Sequence, residues 1–167
     1  SEGYYHRIED KFTPVVIEKL KECGVTEVKQ LQCNDDHEMI TEAIRTLIED
    51  GSDLIVCTGG MSVDPDDRTP LAIKNACTEV VTYGAPVLPG AMFMLAYCEK
   101  EGRQIPIMGL PGCVMYAKRT IFDLVLPRIM CDEKLHEKDF QILGQGGLCL
   151  SCPVCTFPNC GFGKGGY

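Results

Sequence analysis

The chain is short of basic residues, of long apolar runs and of histidine, and each shortage removes a class of function. With 16 Lys and Arg against 24 Asp and Glu, the formal charge is -8. No local basic stripe offsets that deficit, so neither nucleic acid nor an anionic membrane surface is expected as a partner. An anionic ligand would instead need backbone N–H groups, helix N-termini and a divalent cation. No apolar run approaches the roughly 20 residues that cross a bilayer, and the opening has no signal-peptide pattern. A cytoplasmic protein is therefore expected. His6, His37 and His136 fall outside any ligand spacing and read as surface or helix-entry residues.

At 167 residues the chain suits one domain with a real core and a tail. Apolar periodicity ends at Leu143, so the expected division is an α/β domain over 1–143 and a Gly- and Cys-rich tail over 144–167. Seven of the 11 cysteines (Cys23, Cys33, Cys57, Cys77, Cys98, Cys113 and Cys131) are scattered through predicted strands and helices and read as reduced core thiols.

The run from Asp53 to Ser62 carries most information. Four apolar residues, Leu54 to Cys57, end in Thr58-Gly59-Gly60-Met61-Ser62, which reads as a buried strand entering an anion-binding turn. The two glycines let backbone N–H groups approach a ligand, and Ser62 adds a hydroxyl. Asp66 and Asp67 follow, and Thr69-Pro70 opens the next helix as N-cap and first-turn proline. A tight strand-to-helix connection is the competing reading of the same residues.

Around this run strands and helices alternate. Thr13-Pro14 predicts a helix ending at Gly24, and Val25 to Cys33 alternates like a half-buried strand. Asp35, with Glu38 three positions on, predicts the N-cap of a second helix ending at Gly51. A helix is expected over 70–77 and a strand over 80–83. Ala91 to Tyr97 is apolar throughout and reads as a buried helix, Ile105 to Leu110 as a buried strand, and Leu110-Pro111-Gly112 as the opening of a long helix that Pro127 begins to end. The predicted class is a three-layer α/β/α fold with a mostly parallel sheet, its ligand beyond the carboxyl ends of the strands. Asp35, the 59–67 loop and the Pro111-Gly112 turn all fall on that edge.

The pattern Thr-Gly-Gly-x-Ser, Asp before Thr-Pro, then Pro-Gly and Gly-Leu-Pro-Gly resembles the molybdopterin-binding domain of molybdenum-cofactor biosynthesis proteins: adenylyltransferases, molybdenum insertases and gephyrin. The resemblance runs from about Ser1 to Met130. It implies that Gly59, Gly60, Met61 and Ser62 take the pterin's terminal phosphate, with Thr58, Asp66, Pro89, Gly90, Pro111 and Gly112 among the ligand-binding residues. It places the acid of Mg²⁺-nucleotide chemistry on Asp67, and a second catalytic acid on Asp35. Asp66 also reads as a turn residue, and Asp35 as a helix cap. Joining a pterin phosphate to a nucleotide crowds negative charge together, which calls for fixed N–H donors and a carboxylate-bound Mg²⁺.

Ser1-Glu2 resembles the residues that follow the family's first strand, which implies that this strand is missing from the chain. A slot or an unusual edge beside the 53–58 strand is then expected, with apolar surface covered by adaptation or by assembly into a homo-oligomer.

Cys149, Cys152, Cys155 and Cys160 have no counterpart in the resemblance. Their close spacing between glycines suits one metal centre, zinc or iron–sulfur, with a reduced or adventitiously oxidised thiol-rich terminus as the alternative. Gly161 to Gly166 superficially matches a dinucleotide fingerprint but has no strand before it and no helix after it.

Three functions compete. The chain either adenylylates molybdopterin or inserts molybdate into the adenylylated form; or it hydrolyses nucleotide pyrophosphates, like the similar competence-damage proteins; or it carries or senses molybdopterin without turnover.

Overall fold

The computed structural model describes residues 10–165. Helix α1 (Phe12–Glu22) starts where the Asp10 carboxylate accepts hydrogen bonds from the N–H groups of Phe12 and Thr13, 3.0 Å each. Helix α2 (His37–Glu49) is capped by Asp36, whose side chain accepts from the N–H groups of Glu38 and Met39. The cap is thus one residue later than the sequence predicted, and Asp35 is released from that role. Then come β1 (Ile55–Thr58), α3 (Thr69–Ala76), β2 (Glu79–Tyr83), β3 (Met94–Lys100), β4 (Arg103–Leu110), a 3-10 turn over Gly112–Met115, α4 (Ile121–Ile129) and α5 (Glu137–Gln141).

The strands form one mixed sheet in the order β1-β4-β3-β2. The α/β class stands, but among the described strands just the β1–β4 pair is parallel; β4 with β3 and β3 with β2 are antiparallel. The cause is residues 91–97, expected as helix, whose second half is strand β3. Lys100 pairs with Arg103 across Glu101 and Gly102, both with positive φ (53° and 77°), which is a two-residue hairpin turn matched to strand twist. The first four residues of β3, Met94 to Tyr97, are apolar because both faces are buried there: Leu95 and Tyr97 face one core, Met94 and Ala96 the other.

Those two cores make the three layers. One lies under α1, α4 and α5 and contains Val16, Leu20, Phe93, Met108, Phe122 and Phe140; the other lies under α2 and α3 and contains Ile44, Ile48, Ile73 and Ile107. The expected long helix after Gly112 is split. Thr120 and Asp123 form a reciprocal capping box that starts α4 afresh, and Pro127 lies inside this helix rather than ending it. A buried ion pair joins the outer layer: Lys19 of α1 donates to Asp123 of α4 at 2.6 Å.

One further expectation is corrected: Val25 to Cys33 is not a strand and pairs with none of the described strands. The described part of the 144–167 stretch docks against the rest of the chain. Leu88 N–H donates to Gly147 C=O and Cys149 N–H to Leu88 C=O, 2.6 and 2.8 Å, and Phe162 is buried in the α1–α4–α5 core. Its glycines permit this docking by close backbone approach: a Cβ on Gly146 would lie 2.3 Å from the Gly161 carbonyl oxygen.

Candidate functional site

Thr58 at the end of β1 lies opposite Leu110 at the end of β4, and Met94, which starts the antiparallel β3, lies opposite Gly109. The turns at 59–67, 89–90 and 111–112 therefore leave the sheet at one edge, its carboxyl edge with respect to β1 and β4. Ligands of open α/β sheets collect there.

The 59–67 loop is built around two left-handed residues, Gly59 (φ 82°) and Gly60 (φ 56°), a backbone that side chains other than glycine rarely tolerate. Thr69, the buried first residue of α3, does not cap the helix; its hydroxyl donates to the Gly59 carbonyl at 2.8 Å and clamps the turn. A Cβ added to Gly60 would lie 2.9 Å from Thr69 Oγ1 and 3.6 Å from Asp35 Oδ1, so Asp35 stands directly beside the loop. On the other side, Asp67 Oδ2 accepts from the Ser62 N–H and, at 2.8 Å, from the Ser62 hydroxyl. The loop's own carboxylate thus occupies donors that an incoming anion would use.

Among the expected ligand residues, Thr58, Gly59 and Ser62 are exposed and Gly60 is partly so. Met61 differs: its side chain is buried in the core under α2 and α3, leaving its backbone alone to meet a ligand. Asp66 is exposed, and its N–H donates to Asp64 Oδ1 at 3.0 Å in an Asx-type turn. Pro89 and Gly90 seat α4. The Pro89 carbonyl accepts from Ile121 N–H at 3.1 Å, and a Cβ on Gly90 would lie 2.4 Å from Ile121 Cγ2. Pro111 is buried and Gly112 exposed with open space where a Cβ would stand.

Tyr83 was not found from the sequence. It ends β2 at the same edge, and burial together with the nearby Asp67 carboxylate pushes its phenol pKa up. Its position became legible through the direction of β2, which depends on β3 being a strand.

The donor set suits a metal bridged by its ligand better than a preformed cage. Among the described residues no group of three or more His, Cys, Asp or Glu side chains could hold an ion. Mg²⁺ commonly takes one or two carboxylates and completes its shell with phosphate and water; Asp35 and Asp67 flank the loop in that manner. The four tail cysteines are not gathered. Cys149 and Cys160 pack against the core, where the pairing with Leu88 and the burial of Phe162 hold them, while Cys152 and Cys155 point to solvent.

A cavity of about 1370 Å³, lined along its length by β1 and segment 25–34, reaches Thr58, Gly59, Gly60, Thr69 and Asp35. The wall of this cavity includes Cys57, whose thiol is pushed up to about 12 by burial and by the nearby Cys33, so it is an inert thiol there.

Residues 1–130 match the family described as "Probable molybdopterin binding domain". The chain belongs to the molybdopterin-binding domain family. The fold is shared with the crystal structure of the tungsten cofactor synthesizing protein MoaB from Pyrococcus furiosus, at 20% identity and a TM-score of 0.57 over 77% of this chain and 88% of that one. A molybdopterin biosynthesis protein from Mycobacterium abscessus is similar at 18% identity and a TM-score of 0.60, over 76% and 84% of the two chains. No curated protein sequence matches the chain. The molybdopterin-binding match contains the whole glycine loop, Asp35 and Asp67; the Cys149 to Cys160 segment lies outside it.

Proposed function

We propose that the chain acts in molybdenum-cofactor biosynthesis on molybdopterin or its adenylylated form, binding the pterin phosphate at the Gly59 to Ser62 loop. The observation that carries this reading is the pair of left-handed glycines at the end of β1, clamped by Thr69 and flanked by Asp35 and Asp67. Such a loop offers fixed N–H donors to an anion in a protein of net charge -8. Asp67, with Asp35 as second acid, is the proposed Mg²⁺ ligand, and the metal would offset the charge of phosphate and nucleotide or molybdate. Adenylyl transfer and molybdate insertion both fit that arrangement.

A non-catalytic carrier is the second reading, favoured by the closed Asp67–Ser62 contact. Titration of the chain with molybdopterin, ATP and Mg²⁺, following pyrophosphate and AMP, separates the two. Pyrophosphate release dependent on molybdopterin marks the adenylyltransferase, and molybdate-dependent AMP release from the adenylylated pterin marks the insertase. Tight pterin binding without either product marks the carrier.

A further inference from the structure

The fold divides the 11 cysteines by exposure. Eight are partly buried and three are exposed: Cys131, Cys152 and Cys155. Cys131 lies near Cys23, a partly buried thiol whose pKa is pushed up chiefly by burial. Cys152 and Cys155 form an exposed pair three positions apart, and the chain bends between them at Pro153 and Val154. Such a bend draws the flanking Cα atoms toward the separation of under about 7 Å that a disulfide spans.

The pair lies on the least covered stretch of the docked tail. Leu150 and Val154 beside it are 76% and 77% exposed. Among the described residues, no backbone N–H from Leu150 to Phe157 donates to another backbone group. The two ends of the stretch are held instead. Cys149 N–H donates to Leu88 C=O at 2.8 Å, the Arg119 guanidinium lies 5.0 Å from the centre of the Phe157 ring, and Cys160 packs against the core. The stretch between these anchors carries both thiols open to solvent.

We propose that Cys152 and Cys155 form a thiol–disulfide exchange site whose reactant is a low-molecular-weight disulfide. One thiolate attacks a sulfur of that disulfide, which forms a mixed disulfide and expels one small thiolate. The second thiolate attacks the protein sulfur of the mixed disulfide, closing the Cys152–Cys155 bond and expelling the other small thiolate. The two protons released by the cysteines end on the two small thiols, so the chain is oxidised by two electrons and the small disulfide is reduced by two. The first step needs an unobstructed thiolate, and the second needs another thiol within reach. Cys152 and Cys155 meet both conditions. The four tail cysteines do not gather into a metal-holding group among the described residues, which favours the pair over a four-thiolate centre. The site lies outside the 1–130 match, and the inference holds whatever the glycine loop binds.

The test uses the 167-residue chain carrying Cys131→Ser, held anaerobically in glutathione buffers, quenched with acid, alkylated in denaturant and mapped by mass spectrometry. Cys152 and Cys155 should be lost to alkylation together, as a disulfide with each other, while the remaining cysteines stay alkylated. Closing that bond releases two glutathiones. At a fixed ratio of reduced to oxidised glutathione, doubling the total concentration should therefore lower the oxidised-to-reduced ratio of the chain about twofold, a dependence that a mixed disulfide lacks. Cys155→Ser should convert the product to one glutathione on Cys152, with the circular dichroism of the chain unchanged. Retention of both thiols even in oxidised glutathione alone would overturn the proposal. So would glutathione adducts without the internal bond, or a bond from either cysteine to Cys149 or Cys160. A zinc or iron–sulfur centre in the reduced, anaerobically purified chain, lost in Cys152→Ser and Cys155→Ser by elemental analysis, would overturn it in favour of a metal site.

Discussion

The Asp67 carboxylate accepts two hydrogen bonds from Ser62, one from the backbone N–H and one from the hydroxyl. One acid therefore holds this loop together, and in the proposed function the same acid is the Mg²⁺ ligand. In that reading an incoming anion competes with Asp67 for the Ser62 donors, and Mg²⁺ would stabilise the displaced carboxylate.

Asp67→Asn keeps an oxygen acceptor for Ser62 but removes the charge. Mg²⁺-dependent turnover is expected to fall by about two orders of magnitude or more, with pterin affinity largely retained, because the lost charge matters most where negative charge accumulates in the transition state. Parallel loss of affinity and rate would assign Asp67 to the loop's structure alone. Steady-state kinetics with binding by calorimetry separates the outcomes.

Gly60→Val should abolish pterin and phosphate binding. The backbone there has φ 56° and the new Cβ would press on Thr69 Oγ1 at 2.9 Å, so the turn must re-form. Thr69→Val is the milder companion. It removes the hydroxyl bond to Gly59 and should cost about 1 kcal/mol of stability, with a several-fold loss of affinity, measured by denaturant unfolding and calorimetry.

Much of the fold around this loop was legible in the sequence. β1, α3 and β2 fall within about two residues of their expected positions, because Thr58-Gly59-Gly60 marks the end of β1 and Thr69-Pro70 the start of α3. What misled was apolar residue count without period. Residues 91–97 have no polar face, and a run buried on both sides looks alike as helix or strand; the Glu101-Gly102 turn was the deciding signal. Asp35 and Asp36 are adjacent acids, and sequence alone does not say which one caps α2. The glycine-rich tail showed no periodicity because it docks through backbone contacts and a few side chains such as Phe162 rather than through a regular face.

Lys19→Met should destabilise the chain by roughly 3 kcal/mol, since it leaves Asp123 buried without its closest cation. Arg119 also reaches Asp123, at 2.8 Å, so folding should survive. The shift is measured by chemical unfolding, and an effect below about 0.5 kcal/mol would show that Arg119 alone neutralises the acid.

Acid should loosen the start of α2. Hydrogen bonds from the Met39 and Glu38 N–H groups hold the Asp36 pKa below its ordinary 3.8. A depressed folded-state pKa means that the cap's contribution is fully present above the ordinary value and is lost as pH falls through the lower one. Amide exchange at Glu38 and Met39, compared by denaturant dependence at pH 5 and below 3.8, should show the first turn opening selectively. An Asp36→Ala chain should show no such pH dependence.

The central claim is that the backbone of Gly60 to Ser62 binds the phosphate of the pterin. Its most direct test is a titration of ¹⁵N-labelled chain with molybdopterin and Mg²⁺ under anaerobic conditions, read at each backbone amide. The account predicts saturable shifts largest at Gly60, Met61 and Ser62, accompanied by Asp67 and absent in Gly60→Val. Saturable binding with the largest shifts elsewhere, and those three amides unmoved, would contradict it.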